Sequence, residues 1–131
     1  MSLAYARATA NEQGRPLFQV FADMLNVTPT LPQMTINLFS GGKHAGGQVA
    51  IQDVLDAPRS ARSIDEALAM TWADYQSAAD ITHAKYGTRA LSADEGGLAP
   101  PFPNVETMLS DAVEAIEEAG YRPDDDVALA V

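Results

Sequence analysis

The run Gln33-Met34-Thr35-Ile36-Asn37-Leu38, followed after Phe39 by Ser40-Gly41-Gly42-Lys43-His44-Ala45-Gly46-Gly47, is where the chain changes its hydrophobic period. Met34, Ile36 and Leu38 alternate with Gln33, Thr35 and Asn37, the two-residue repeat of a strand with chemically different faces. Upstream the repeat is helical. Leu3 to Gln13 is alanine-rich and stops at Gly14, a residue suited to the left-handed turn at a helix end. Pro16 suits the start of a second helix, whose Leu17, Val20, Phe21, Met24 and Leu25 make one apolar stripe. Thr28-Pro29-Thr30-Leu31-Pro32 interrupts both patterns and reads as a linker.

Downstream of the glycines, Gln48 to Leu55 alternates Val49, Ile51, Asp53 and Leu55 against Ala50, Gln52 and Val54, predicting a second strand. On that register Gln52 and Asp53 face opposite sides of the sheet unless a bulge intervenes. Ser63-Ile64-Asp65-Glu66 fits a capping box, and the helix it opens carries an apolar face of Ile64, Leu68, Trp72, Tyr75 and Ala79, ending at Gly87. Asn104 caps a further helix with a stripe of Val105, Leu109, Ala112, Ile116 and Ala119, ending at Gly120. Val127-Ala128-Leu129-Ala130-Val131 is an unbroken apolar run of the kind found in strands buried on both faces. The order is helix, helix, strand, strand, helix, helix, strand, an α/β arrangement.

Composition excludes several classes. A length of 131 residues with 47% hydrophobic content suits one soluble globular domain rather than a disordered chain. A formal charge of −10, with only eight scattered basic residues, leaves no patch for a nucleic-acid backbone. The absence of cysteine removes disulfides, thiolate metal sites and a cysteine nucleophile, and suits a reducing cytoplasm. No apolar run reaches the ~20 residues that span a bilayer, and the opening residues lack the pattern of a signal peptide. A cytoplasmic protein without a membrane partner is the expectation.

Chemistry gathers at two loops. In Asp94-Glu95-Gly96-Gly97-Leu98-Ala99-Pro100, Glu95 could act as a general acid if burial and the adjacent charge raise its pKa; the alternative is a solvated turn. The glycines flanking Lys43 and His44 allow close backbone approach to an anion, or simply form a hairpin loop, and His44 is open to roles as a ligand-binding cation, a metal ligand or a loop residue. Asp53 needs a partner or an exposed edge, since burying an unpaired charge is costly. His83 and Lys85 complement the end of their helix dipole, and Trp72 and Tyr75 read as core.

These segments taken in order, Ser40 to Gly47, Gln52-Asp53 and Asp94 to Pro100, resemble enolase (phosphopyruvate hydratase). Leu3-Ala4-Tyr5-Ala6-Arg7-Ala8, Arg15-Pro16-Leu17-Phe18, Lys85-Tyr86-Gly87, Glu118-Ala119-Gly120-Tyr121 and Val127 to Val131 extend the similarity across the chain. The resemblance implies a fragment of an enolase-type ββαα(βα) barrel over residues 31–131, preceded by a helical segment, 1–30, like the end of the enolase amino-terminal domain. The implied reaction is the lyase conversion of 2-phosphoglycerate to phosphoenolpyruvate, with magnesium ions stabilising an enolate and a lysine removing the α-proton. Glu95 matches the glutamate that protonates the departing hydroxyl. His44 matches a mobile-loop histidine, and Gln52 a glutamine at the rim. Asp53 stands where the family usually has glutamate, and Lys43 where many members have a small polar residue.

The resemblance also implies that the metal-ligand carboxylates, the catalytic lysine and the phosphate-binding arginine and serine would follow Val131, and that a substrate-covering loop would precede Met1. The expectation is therefore a chain inactive alone, binding no Mg2+ alone, that meets a phosphorylated substrate as a homo-oligomer or with a complementing chain. The alternative is a non-catalytic interaction module on an enolase framework.

Overall fold

The computed structural model describes residues 2–87 and 91–131 and divides into two compact units, Met1–Pro32 and Gln33–Val131. The first holds α1 (Ser2–Glu12) and α2 (Leu17–Leu25). Pro16 caps α2 with an extended backbone, and Asn26 ends it in the left-handed conformation, its N–H reaching back to the carbonyl of Asp23. Residues 27–35 have no regular structure, as the prolines require.

In the second unit the elements are β1 (Ile36–Ser40), a 3₁₀ turn (Gly42–Ala45), β2 (Asp53–Pro58), α3 (Ile64–Tyr86), α4 (Val105–Glu118) and β3 (Val127–Ala130). The strands form an antiparallel sheet in the order β1-β2-β3. The register of β1 on β2 pairs Asn37 with Leu55, Phe39 with Val54 and Ser40 with Asp53, so Leu38 is an inserted residue. This bulge puts Asn37 and Ser40, three positions apart, on one face with Asp53. Phe39, Val54 and Asp56 take the other, helix-covered face.

The second strand begins five residues later than the alternation suggested. Gln48 to Gln52 instead folds against the glycine turn: Gly41 N–H donates to Gln52 O (2.6 Å) and Gly42 N–H to Val49 O (3.0 Å). Those carbonyls are thereby taken from any ladder, and Val49 is buried in the core as a loop residue. Within β2 the alternation does hold, with Val54, Asp56 and Pro58 buried.

The faces of α3 differ from the expected one. Ala67, Met70, Asp74, Ala78 and Thr82 are buried, whereas Ile64, Leu68 and Trp72 are exposed, Trp72 at 65%. Alanines spread around this helix blur its apolar stripe, and the small side chains are the ones that admit α4 and the sheet at close range. Its start is capped as predicted by Ser63 Oγ, which accepts from Glu66 N–H (3.1 Å), but the Glu66 carboxylate takes Arg62 N–H (2.9 Å) rather than closing the box. In α4, Asn104 Oδ1 accepts from Thr107 N–H (2.7 Å), and Met108, Ala112, Ala115 and Ile116 are buried.

The core joins Leu38, Phe39 and Val54 of the sheet to Ala78, Met108, Ala112 and Ala115 of the helices, with Leu98 and Phe102 from the connection between them. Phe102 sits edge-on to both Phe39 (4.9 Å between centroids) and Tyr86 (5.6 Å). Lys85, expected to serve the helix dipole, instead bridges α3 to α4. It donates to the buried Asp111 (2.7 Å) and to Glu114, while Tyr86 Oη donates to Asp111 (2.7 Å). Asp111 and Glu114 push the lysine up to about 12, and burial with the same aspartate pushes the tyrosine up to about 12. β3 is not buried on both faces: only Val127 is buried, and Ala130 is exposed.

Candidate active site

Asp53 opens β2 on the face opposite the helices, where the bulge in β1 delivers its partners. Asn37 Nδ2 donates to Asp53 Oδ1 at 2.8 Å, Ser40 Oγ donates to the same oxygen at 3.3 Å, and Asn37 Nδ2 lies 3.1 Å from Ser40 Oγ. The half-buried carboxylate is therefore satisfied by two neutral donors, which removes the need for an exposed edge. The sequence marked neither Asn37 nor Ser40 as a partner of Asp53. Only the inserted Leu38 turns them to one side.

Glu95 sits at the tip of a small hairpin. Gly96 N–H donates to Ala93 O (2.9 Å), Ala93 N–H to Gly97 O (2.8 Å) and Ala99 N–H to Leu91 O (2.7 Å). The hairpin is docked on β1, since Leu98 N–H donates to Leu38 O (2.8 Å) and Ser40 N–H to Leu98 O (2.9 Å). From α3, Tyr75 packs against the core as expected, and its Oη donates to Gly96 O (2.9 Å), so it also holds the turn. Gly97 is where hairpin and strand meet: a Cβ there would lie 2.5 Å from both Asn37 Oδ1 and Ser40 Oγ. Gly97 thus packs directly on the donors of Asp53, two residues after Glu95. Glu95 and Asp94 are themselves exposed, so burial does not reach either carboxylate in this chain.

Lys43 and His44 are exposed on the 3₁₀ turn, and Gln52 is exposed just before β2. The amides of Gly41, Gly42, Ala45 and Gly47 are all spent on carbonyls of Gln52, Val49, Gly41 and Gly42, so this turn does not present them to an anion. A side chain at Gly41 would meet Ile51 O at 2.3 Å, which explains a glycine at this crossing. Among the described residues no group of three or more His, Asp or Glu side chains could hold a metal ion.

A family model described as enolase, C-terminal TIM barrel domain, matches residues 28–131. The chain belongs to the enolase family. Over 132 aligned positions it is 36% identical to the enolase of Thermococcus gammatolerans, 37% to that of Thermococcus kodakarensis and 38% to that of Pyrococcus furiosus. Each alignment covers 100% of this chain and 30% of the relative, so the chain spans about a third of the length of these enolases. The matched span contains the glycine turn, Asp53 and the Glu95 hairpin together. No helix among the described residues is long and apolar enough to cross a membrane.

Proposed function

We propose that this chain carries the acid side of an enolase-type site for the reversible dehydration of 2-phosphoglycerate to phosphoenolpyruvate. Glu95 protonates the departing hydroxyl, and Asp53 stands behind it as a second carboxylate held by Asn37 and Ser40. His44 closes over the phosphorylated substrate, and Gln52 lines the rim. The observation that supports this best is the docking of the Glu95 hairpin, through Gly97, on the two side chains that hold Asp53. Residues 1–30 then correspond to the end of the enolase amino-terminal domain and 31–131 to the opening of its barrel, in a cytoplasmic protein.

On this proposal the 131 residues do not turn over alone. Of its two lysines, Lys85 is engaged by Asp111 and Glu114 and so is not free to abstract a proton, and Lys43 lies on the exposed turn. Magnesium, which would stabilise the enolate, finds no converging donors among the described residues. The test is phosphoenolpyruvate formation from 2-phosphoglycerate with magnesium. The expected result is none from the isolated chain, activity on mixing with a chain carrying the rest of an enolase barrel, and loss of that activity in Glu95→Gln by about 10²–10⁴. Turnover by the isolated chain near that of a full enzyme, or restored activity indifferent to Glu95→Gln, would refute the proposal.

A second reading, a non-catalytic module that associates with itself or a partner, is favoured by the exposed Ile64, Leu68 and Trp72. Leu68 and Trp72, with Ile36, Thr71 and Tyr75, line an open apolar concavity of about 300 Å³. Light scattering separates the readings: a defined dimer lost in Trp72→Glu supports association, and a monomer at high concentration opposes it.

A further inference from the structure

The helix-covered face of β2 contains a carboxylate where the pattern calls for an apolar residue. Asp56 lies between Val54 and Pro58 on that face at 1% exposure, and across from it α3 brings Asp74 at 0%. All four carboxylate oxygens lack a hydrogen-bond donor among the described residues. Among the described residues no salt bridge reaches either carboxylate. β1 (INLFS) and β3 (VALA), on either side of β2, contain no titratable side chain. One turn away from Asp74 on α3 are the buried, apolar Met70 and Ala78, and the neighbouring Tyr75 hydroxyl is committed to Gly96. On α4, Asp111 is occupied by Lys85 and Tyr86, and Glu114 by Lys85.

Two ionised carboxylates cannot persist in such a place. Each would give up its hydration, gain no donor and repel the other. A single proton changes this, because the hydroxyl of one carboxyl then donates to the oxygen of its neighbour in a charge-assisted bond. We propose that Asp56 and Asp74 form a proton-sharing carboxyl–carboxylate pair that fastens β2 to α3 and loosens that joint when the shared proton is lost. Burial pushes both groups above the ordinary carboxylate range. The charge and hydrogen bond of Asp74 raise Asp56 further, whereas the same bond draws Asp74 back down, so Asp56 is the proton holder. The unfolded chain releases these protons in the ordinary aspartate range while the folded chain keeps them. Stability from the pair is therefore complete in acid and declines as pH rises above that range, the folded-to-unfolded ratio falling by up to about tenfold per pH unit for each retained proton.

A carbon-13 NMR titration of the aspartate side-chain carboxyls, assigned through their own backbone resonances in the unmodified chain, tests the pair directly. One of the two is expected to stay protonated through neutral pH, with a midpoint displaced upward by at least about two units. Both titrating in the ordinary aspartate range would overturn the proposal. In parallel, the urea midpoint is expected to fall as pH rises from about 5 to about 9, and this fall is expected to shrink in the Asp56→Asn/Asp74→Asn double variant, whose amide supplies a permanent donor. A double variant with an undiminished pH dependence would also overturn it. If that variant does not fold, the titration of the unmodified chain still decides.

Discussion

Replacing Gly97 with alanine tests the link between the Glu95 hairpin and the Asp53 cluster. The added Cβ would stand 2.5 Å from Asn37 Oδ1, 2.5 Å from Ser40 Oγ and 2.8 Å from Asn37 Cγ, where ordinary contact begins at 3.4 Å. Each oxygen would have to retreat by about 0.9 Å, and neither is free to do so. Ser40 is fully buried, and both side chains are held to Asp53 Oδ1, at 2.8 Å from Asn37 and 3.3 Å from Ser40. Overpacking of a tight site costs about 1–3 kcal/mol, and a buried polar group left without its partner adds about 1–3 kcal/mol. Because either the crowding or the hydrogen bond yields first, the two do not simply add, and the expected loss is about 2–4 kcal/mol, a drop in Tm of roughly 6–16 °C for a chain of this size.

Gly96→Ala provides the control. Gly96 has φ +87° but no heavy atom within 4 Å of an added Cβ, so that substitution carries only backbone strain, about 1–2 kcal/mol. Urea and thermal unfolding followed by circular dichroism would measure both, and Ser40→Ala placed in the Gly97→Ala background should return part of the loss by removing one of the crowded oxygens. If Gly97→Ala proves no more destabilising than Gly96→Ala, or if Ser40→Ala deepens the loss additively, the packing argument fails.

Further expectations follow from the helices. Lys85→Met leaves the buried Asp111 with only the Tyr86 hydroxyl and should lower stability by about 2–3 kcal/mol, discounted for the partial exposure of the lysine; a loss under about 0.5 kcal/mol in urea unfolding would contradict the bridge. Because its partners raise Lys85 from 10.5 to about 12, its contribution is complete below the usual lysine range and disappears as pH climbs through about 12, so the gap between wild type and Lys85→Met should narrow only in strong alkali. Asn104→Ala removes the cap on Thr107 and should cost about 1 kcal/mol, with Asn104→Asp close to neutral in the same assay. Trp72→Ser, at a position 65% exposed, should change the stability of the monomer by no more than about 0.5 kcal/mol, whereas a core tryptophan would cost several times that.

Local chemistry alone determined the elements and most of their ends: Pro16, Ser63 and Asn104 start helices, Gly87 ends one, and the alternation at Ile36 to Leu38 marks a strand, because caps, prolines and period act within a few residues. The glycine turn and the Asp94 to Gly97 turn were legible as turns for the same reason. Tertiary structure decided what those signals cannot contain. The strand after the glycines started at Asp53 because Gly41 and Gly42 claimed the carbonyls before it, and α3 turned alanines inward because close packing, not hydropathy, selects a helix face. Leu38 became an insertion only through its pairing across the sheet, which alone set Asn37 and Ser40 on Asp53. Asp56 and Asp74, 18 positions apart, met only because β2 lies beneath α3, and a carboxylate shows its need for a proton only once the surrounding water has been removed.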